Sequence, residues 1–263
     1  MNSPTTQPVG ALLRQWRQRR RLSQLDLACD AEISTRHLSF VENGRALPSR
    51  EMLLHLADQL DIPLRERNRL LSAAGYAPVY TELPLDDPEL TVARQAIDQL
   101  LKAHEPNPAM VVDRHWNLLA SNHAVSVFLT GVDAELLKPP VNVLRMSLHP
   151  KGLAPRILNL APWKVHVMAR LQRDIEASGD AALQALRDEL AKYPAPPCEE
   201  PGVDDRVLIP VQLQTELGVV SLIGTITVFG TPVDVTLSEL ALETFFPADP
   251  DSARLLRALV GAD

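Results

Sequence analysis

The chain has 263 residues, of which 46% are hydrophobic and 22% are charged, a composition typical of a folded globular protein. This composition excludes disorder throughout the chain, and no apolar run reaches the roughly 18 residues of a membrane span. The N-terminus lacks an apolar signal core, and the two cysteines, Cys29 and Cys198, have neither disulfide nor zinc spacing. These features favour a cytoplasmic protein without membrane contact.

Charge is distributed unevenly along the chain, whose net formal charge is −7. Residues 1–80 hold 11 arginines, no lysine and 8 acidic residues, a net of +3, while the other 15 basic and 25 acidic residues sum to −10. A basic first part joined to an acidic remainder indicates that only the first part meets a polyanion such as nucleic acid. Ordinary surface variation is the alternative explanation of a net charge of this size.

The first part has the pattern of five short helices. Ser23 and Ser34 precede helical segments that they can cap, and Gly44 can end the third helix with a positive φ. Ala28 and Ala31 are small residues where the second and third helices must cross closely. Two helices joined by a connection of about three residues are typical of a helix-turn-helix, whose second helix enters the DNA major groove. A small helical bundle with no nucleic-acid role would have the same spacing.

The run LLRQWRQRRRLSQLDLACDAEISTRHLSFVENGRALPSREMLLHLADQLDIP, residues 12–63, carries more than spacing. Ser-Gln opens the second helix, Ile-Ser precedes the third, and Val-Glu-Asn-Gly-Arg ends it. In these pieces the run resembles the lambda-repressor-like, Cro/C1-type (XRE) helix-turn-helix family. The resemblance implies that the partner is an operator in double-stranded DNA.

The same resemblance implies two sets of DNA contacts. It implies that Gln24, Asn43 and Arg45 contact phosphates, which fix the register of the protein on DNA without carrying sequence information. It implies that Thr35, Arg36 and Phe40 contact base edges, and Arg36 is suited to bond a guanine through O6 and N7. Phe40 departs from the polar residue often found at its position, so it either packs on a thymine methyl or turns inward as core. Arg17 and Glu42 match positions that pair ionically in relatives.

Tyr76–Pro88 has three prolines and no helical period, which predicts a linker. We therefore expect a helix-turn-helix domain over 1–78, a linker over 79–88 and a second domain over 89–263. Asp87 and Pro88 predict the start of a helix. Its apolar stripe, which either packs on its own domain or joins a dimer seam, is Leu90, Ala93, Ile97, Leu101 and His104.

The second domain is predicted to be α+β, so that the whole chain is an all-α domain followed by an α+β one. Strands are expected over 109–113, 116–121, 206–215, 219–229 and 240–246. Asn122 is expected to cap a short helix, and longer helices are expected over 155–178 and 181–193. Val220, Leu222, Ile226 and Val228 are expected to share the inward face of one strand. A five-stranded antiparallel sheet with helices over one face forms a cup that can hold a small molecule.

The apolar strand, turn, strand and helix that open this domain resemble the start of a PAS domain. Three longer runs, residues 104–122, 142–163 and 227–249, resemble the ligand-binding domain of MmyB-like transcription regulators. That family joins an XRE-type domain to a PAS-like domain in this order. The resemblance implies a PAS-like pocket for fatty acids or related apolar molecules, and a transcription regulator that binds DNA as a homodimer.

No catalytic motif accompanies these patterns: the sequence has no nucleophile elbow, Walker loop, G-x-G-x-x-G motif or metal-ligand histidine spacing. We therefore expect no enzyme activity, metal or cofactor. The residues predicted to line the pocket, each of which could instead be plain core, are Trp116, Met146, Trp163, His166, Phe229 and Phe245. Three alternatives share the same DNA-binding domain: a sensor that holds haem or flavin, an antitoxin-like repressor that binds a partner protein, and a tethered enzyme. His149 and His166 could each be a ligand to haem or a metal.

Overall fold

The computed structural model describes residues 7–197, 209–230 and 234–261. The chain divides into two compact units. The first unit comprises residues 1–83 and 232–238, and the second unit comprises residues 84–231 and 239–263. The described residues 234–238 therefore belong to a different unit from the residues that follow them.

Five helices make up the N-terminal part of the first unit: α1 (Val9–Arg19), α2 (Gln24–Asp30), α3 (Thr35–Glu42), α4 (Arg50–Gln59) and α5 (Leu64–Ala73). Ser23 caps α2 by accepting a hydrogen bond from the Asp26 amide at 3.1 Å, and the Asp26 carboxylate accepts one from the Ser23 amide at 2.8 Å. Ser34 caps α3 by accepting a hydrogen bond from the His37 amide at 3.1 Å, and Gly44 follows α3 with a φ of +70°. The predicted caps and helix end are confirmed.

The core of the first unit fixes the position of α3. Ala28 and Ala31, at the crossing of α2 and α3, are 1% and 2% exposed, as their small size predicts. Gly10 lets α1 approach the end of α3, because a Cβ atom at this position would lie 2.2 Å from the Val41 carbonyl oxygen. Close packing from both sides leaves α3 little freedom to tilt within the unit.

A short helix from far along the chain completes the first unit. This helix, α11 (Val235–Ser238), follows Asp234, whose buried carboxylate accepts a hydrogen bond from the Leu83 amide at 3.2 Å. The Val235 amide donates to the Thr81 carbonyl at 2.7 Å, and the Val235 side chain is fully buried. The first unit is therefore not built from the N-terminal residues alone.

The second unit is built on a five-stranded antiparallel sheet in the order β2-β1-β5-β4-β3, which confirms the predicted α+β class. The strands are β1 (Ala109–Val112), β2 (Leu118–Ser121), β3 (Val211–Thr215), β4 (Gly218–Val228) and β5 (Ala241–Pro247). β2 begins two residues later than expected, after Trp116, which has a φ of +67° and so cannot continue a strand. The expected start of β3 at residues 206–208 lies outside the described residues.

The remaining helices are α6 (Thr91–Ala103), α7 (His123–Phe128), α8 (Val143–Leu148), α9 (Leu160–Ser178), α10 (Ala181–Ala191) and α12 (Pro250–Val260). The stripe on α6 packs within the second unit, because Ile97 and Leu101 are each 5% exposed. Asn122 precedes α7 but its side chain does not cap it. Instead the buried amide accepts a hydrogen bond from the Ala109 amide and donates to the Leu101 carbonyl, which ties β1 to the end of α6.

The inward pattern expected on β4 holds for only part of the strand. Val220 and Leu222 are buried, whereas Ile226 is 49% and Val228 is 62% exposed. β3 pairs with β4 only as far as Leu222, so the second half of β4 pairs with β5 alone among the described strands. Alternation along a strand assigns its faces, but burial also requires an element that covers the face.

Candidate DNA interface and ligand pocket

A buried ion pair holds α1, α2 and α3 together. Arg17 donates two hydrogen bonds to the Glu42 carboxylate, at 2.6 and 2.9 Å, and the Glu42 side chain is 1% exposed. Gln24 also donates to Glu42, at 2.7 Å. The amide nitrogen of Gln24 carries two hydrogens, so one remains for a phosphate at the start of α2. The pairing of Arg17 with Glu42 is as the sequence predicts.

Phe40 lies half-buried on α3 between two exposed arginines. The guanidinium carbons of Arg36 and Arg45 lie 5.4 and 6.0 Å from its ring centroid, within the range of a cation–π contact. The sequence left two alternatives for Phe40, an exposed contact to a thymine methyl and a core position. Neither describes it fully, because the ring is partly covered by the two arginines and is not enclosed in the core. Its position beside both guanidinium groups restrains their orientation.

The other predicted contact residues lie on α3 and the turn after it. Thr35 is the first residue of α3 and is half-buried, and Arg36 is exposed beside it. Asn43, just past α3, is exposed and donates from its amide nitrogen to the Ser39 carbonyl at 2.8 Å. The six predicted residues thus occupy the start of α2, the length of α3 and the turn that ends at Arg45. This is the arrangement in which a helix-turn-helix meets a groove and its flanking phosphates.

The second unit contains a cavity of about 460 Å³, a size typical of small-molecule pockets. Strands β1, β3, β4 and β5 line one side, and helices α7, α8 and α9 line the other. Most lining side chains are apolar, with Val167, Leu222 and Phe245 among them. The exposed lining residues are Arg173 of α9 and Gly224, Thr225 and Ile226 of β4, which places the mouth of the cavity between β4 and α9.

A polar cluster interrupts this apolar lining. Arg170 of α9 binds the Glu243 carboxylate of β5 with two hydrogen bonds, one of them 3.0 Å long, and its guanidinium stacks 4.2 Å from the Trp116 ring centroid. The Trp116 indole donates to Asp174 at 3.1 Å. Burial raises the pKa of Asp174, and the hydrogen bond from Trp116 opposes that shift.

A second pair of rings forms the α9 wall of the cavity. The Trp163 indole donates to the Ser147 hydroxyl at 3.0 Å and stacks on His166, with ring centroids 5.4 Å apart and planes at 19°. Burial lowers the pKa of His166, and the charges of Arg170 and Arg173 lower it further. The imidazole is therefore neutral at neutral pH.

The structure brings together five of the six side chains predicted to line a pocket: Trp116, Met146, Trp163, His166 and Phe245. Phe229 is not among them. It lines a separate cavity of about 100 Å³ with residues of α6, β1 and β5, so the prediction that it joins the same pocket is corrected. Its place just past the end of β4, where the sheet alternation stops, is the physical reason.

The sequence reasoning missed the charged side chains of the cavity, which are Arg170, Arg173 and Glu243. A signal for two of them was present, because His166, Arg170 and Arg173 recur at i, i+4 and i+7 and therefore share one face of α9. Glu243 could not be found in this way, since its partner lies on another element. Within residues 7–197, 209–230 and 234–261, no group of three His, Cys, Asp or Glu side chains could hold a metal ion. Over the same ranges, no helix is long and apolar enough to span a membrane.

Comparison with known proteins assigns each unit separately. Residues 8–70 match the helix-turn-helix domain family, and residues 93–259 match the MmyB-like transcription regulator ligand binding domain. The chain is also similar to proteins described as uncharacterized HTH-type transcriptional regulators, from Mycobacterium bovis and from two strains of Mycobacterium tuberculosis. Each is 25% identical over 222 residues, covering 76% of this chain and 80% of the relative. The α2–α3 pair lies in the first matched region, and all the residues that line the 460 Å³ cavity lie in the second.

Proposed function

This chain belongs to the MmyB-like transcription regulators, and from that premise we propose that it binds an operator in double-stranded DNA as a homodimer, under the control of a small apolar ligand. It acts in the cytoplasm by binding and not by catalysis. The observation that carries the proposal is the apolar cavity of about 460 Å³ in a chain that also has a helix-turn-helix. A regulator needs no such cavity unless something occupies it.

The homodimer follows from how little DNA one copy can read. α3 has 8 residues, and only its outward side chains reach base edges. A single recognition helix therefore contacts too few base pairs to select a site in a genome. Two copies whose recognition helices lie about 34 Å apart would read the two halves of a palindrome on one face of the DNA.

The proposed ligand is a medium or long acyl chain. An apolar cavity favours an apolar guest, because water inside it would find few hydrogen-bond partners. The cavity runs between the sheet and α9, with Trp116 and Trp163 in its walls. An acyl chain bound there would lie against both indoles, so their fluorescence would report its binding.

We expect the affinity of the full chain for saturated fatty acids to rise from octanoate towards hexadecanoate until the cavity is full. Each buried methylene contributes about 0.8 kcal/mol, which is about a fourfold gain in affinity. Titrations followed by tryptophan fluorescence measure this rise. An affinity that does not depend on chain length would reject the acyl pocket.

A pair of variants on β4 locates the binding site. Ile226 lines the cavity and is half-exposed, so Ile226→Phe is expected to take up cavity space and move the affinity plateau to shorter chains. Val228, two residues along the same strand, does not line this cavity and is 62% exposed. Val228→Phe should leave the plateau where it is.

A further inference from the structure

The cavity is apolar but not neutral. Three charged side chains line it: Arg170 and Arg173 from α9, and Glu243 from β5. These three lining groups sum to one net positive charge, and the Asp174 carboxylate, which accepts a hydrogen bond from the Trp116 indole, lies close enough to interact with both arginines. A positive charge at the edge of an apolar cavity attracts an anionic group on the ligand.

Arg170 does not supply that attraction, because Glu243 already neutralises it. The Glu243 side chain is 5% exposed and that of Arg170 is 19% exposed. The pair is bidentate, and the guanidinium also stacks on Trp116. A ligand anion that drew Arg170 away would leave a buried carboxylate without its partner, which is strongly unfavourable.

Arg173 lies three residues further along α9, close to one turn away. It lines the cavity, it is exposed, and no ion pair with it occurs in the described part of the chain. The charge of Arg173 acts on groups in the cavity wall, because it contributes to lowering the pKa of His166. Arg173 thus combines a position at the mouth of the cavity with a charge that no ion pair of the described residues compensates.

We propose that Arg173 binds the anionic group of the ligand at the cavity mouth, so that the pocket selects single-chain anionic amphiphiles, such as carboxylates, over neutral lipids of the same length. The chain of the ligand extends inward along Trp163 and the neighbouring apolar residues, while the pair of Arg170 and Glu243 stays intact. This inference rests on the proposed acyl pocket, and it adds the ligand's charge and the residue that recognises it.

Tetradecanoate and tetradecan-1-ol, which share a chain and differ in charge, test the inference in fluorescence titrations of the full chain. A hydrogen bond to a charged group predicts that the wild type prefers the acid by about tenfold or more. Arg173→Gln should remove most of this preference while leaving the affinity for the alcohol unchanged, which shows that the cavity is intact. Arg173→Lys should keep part of it. Arg254→Gln, an exposed arginine of α12 outside the cavity, should keep all of it.

The outcomes separate the two proposals. If the acid and the alcohol bind the wild type equally, the acyl pocket stands and the role of Arg173 is wrong. The role is also wrong if Arg173→Gln keeps the full preference for the acid. If neither compound binds, both the proposed acyl pocket and this inference are wrong.

Discussion

Replacing Glu42 with alanine is expected to destabilise the first unit by about 3–5 kcal/mol. The substitution removes the partner of Arg17, whose side chain is 10% exposed and cannot regain full hydration. It also removes the acceptor of Gln24. An uncompensated buried charge costs more than the pair contributed, so the double variant Arg17→Met/Glu42→Leu should recover much of the loss.

Chemical unfolding measures this effect if the fluorescence signal comes from the first unit alone. The chain has 3 tryptophans, of which Trp16 lies in the core of the first unit. In a Trp116→Phe/Trp163→Phe background, Trp16 fluorescence follows that unit alone. Arg69→Ala is the matched control, because Arg69 pairs with Glu66 on the surface and is 66% exposed. It should change stability by less than about 1 kcal/mol. Equal effects of Glu42→Ala and Arg69→Ala would contradict the structural role of the buried pair.

Substitutions of Arg36 and Arg45 are expected to weaken DNA binding in two different ways. Arg36→Ala should cost about 1–3 kcal/mol on the preferred site and relax the preference at one base pair, because Arg36 extends from α3 where base edges are read. Arg45→Ala should weaken binding to all sequences nearly equally and reduce the slope of log affinity against log salt by about one, because one phosphate contact is lost.

The measurement starts from an operator that the full chain selects from random DNA. Binding curves at several salt concentrations, on this operator and on single-base variants, give the preference and the slope for each protein. Arg69→Ala keeps the first unit's net charge equal to that of the other two variants and should alter neither quantity strongly. A change in sequence preference with Arg45→Ala, and none with Arg36→Ala, would show that the two roles are assigned the wrong way round.

Features set by neighbouring residues could be predicted from the sequence. The caps at Ser23 and Ser34 and the positive φ of Gly44 follow from residues within one turn. The buried pair of Arg17 and Glu42 is a long-range contact, and it could be predicted only through the resemblance to a known family. Local chemistry therefore accounts for the helices of the first unit, and the family pattern accounts for how they are joined.

Features that depend on distant segments could not be predicted. Asn122 sits where a helix cap would be, but its buried amide bonds to groups of β1 and α6 instead. The helix α11 lies in the sequence between β4 and β5, yet Val235 is buried in the first unit. Arg170 and Glu243 are 73 residues apart in the sequence. In each case the tertiary fold determines which residues make contact. The hydrophobic periodicity of a single segment does not specify that fold.

The central claim is that an apolar ligand controls operator binding. A ligand can do so only if it binds one conformational state of the protein better than another. By linkage, tetradecanoate must then change operator affinity by the same factor by which operator DNA changes tetradecanoate affinity, typically about 5–150-fold. Measuring both affinities on the full chain at one salt concentration, each with and without the other ligand, tests this directly. Two equal factors different from one are the predicted result, and tight binding of both ligands with no mutual effect would contradict the account.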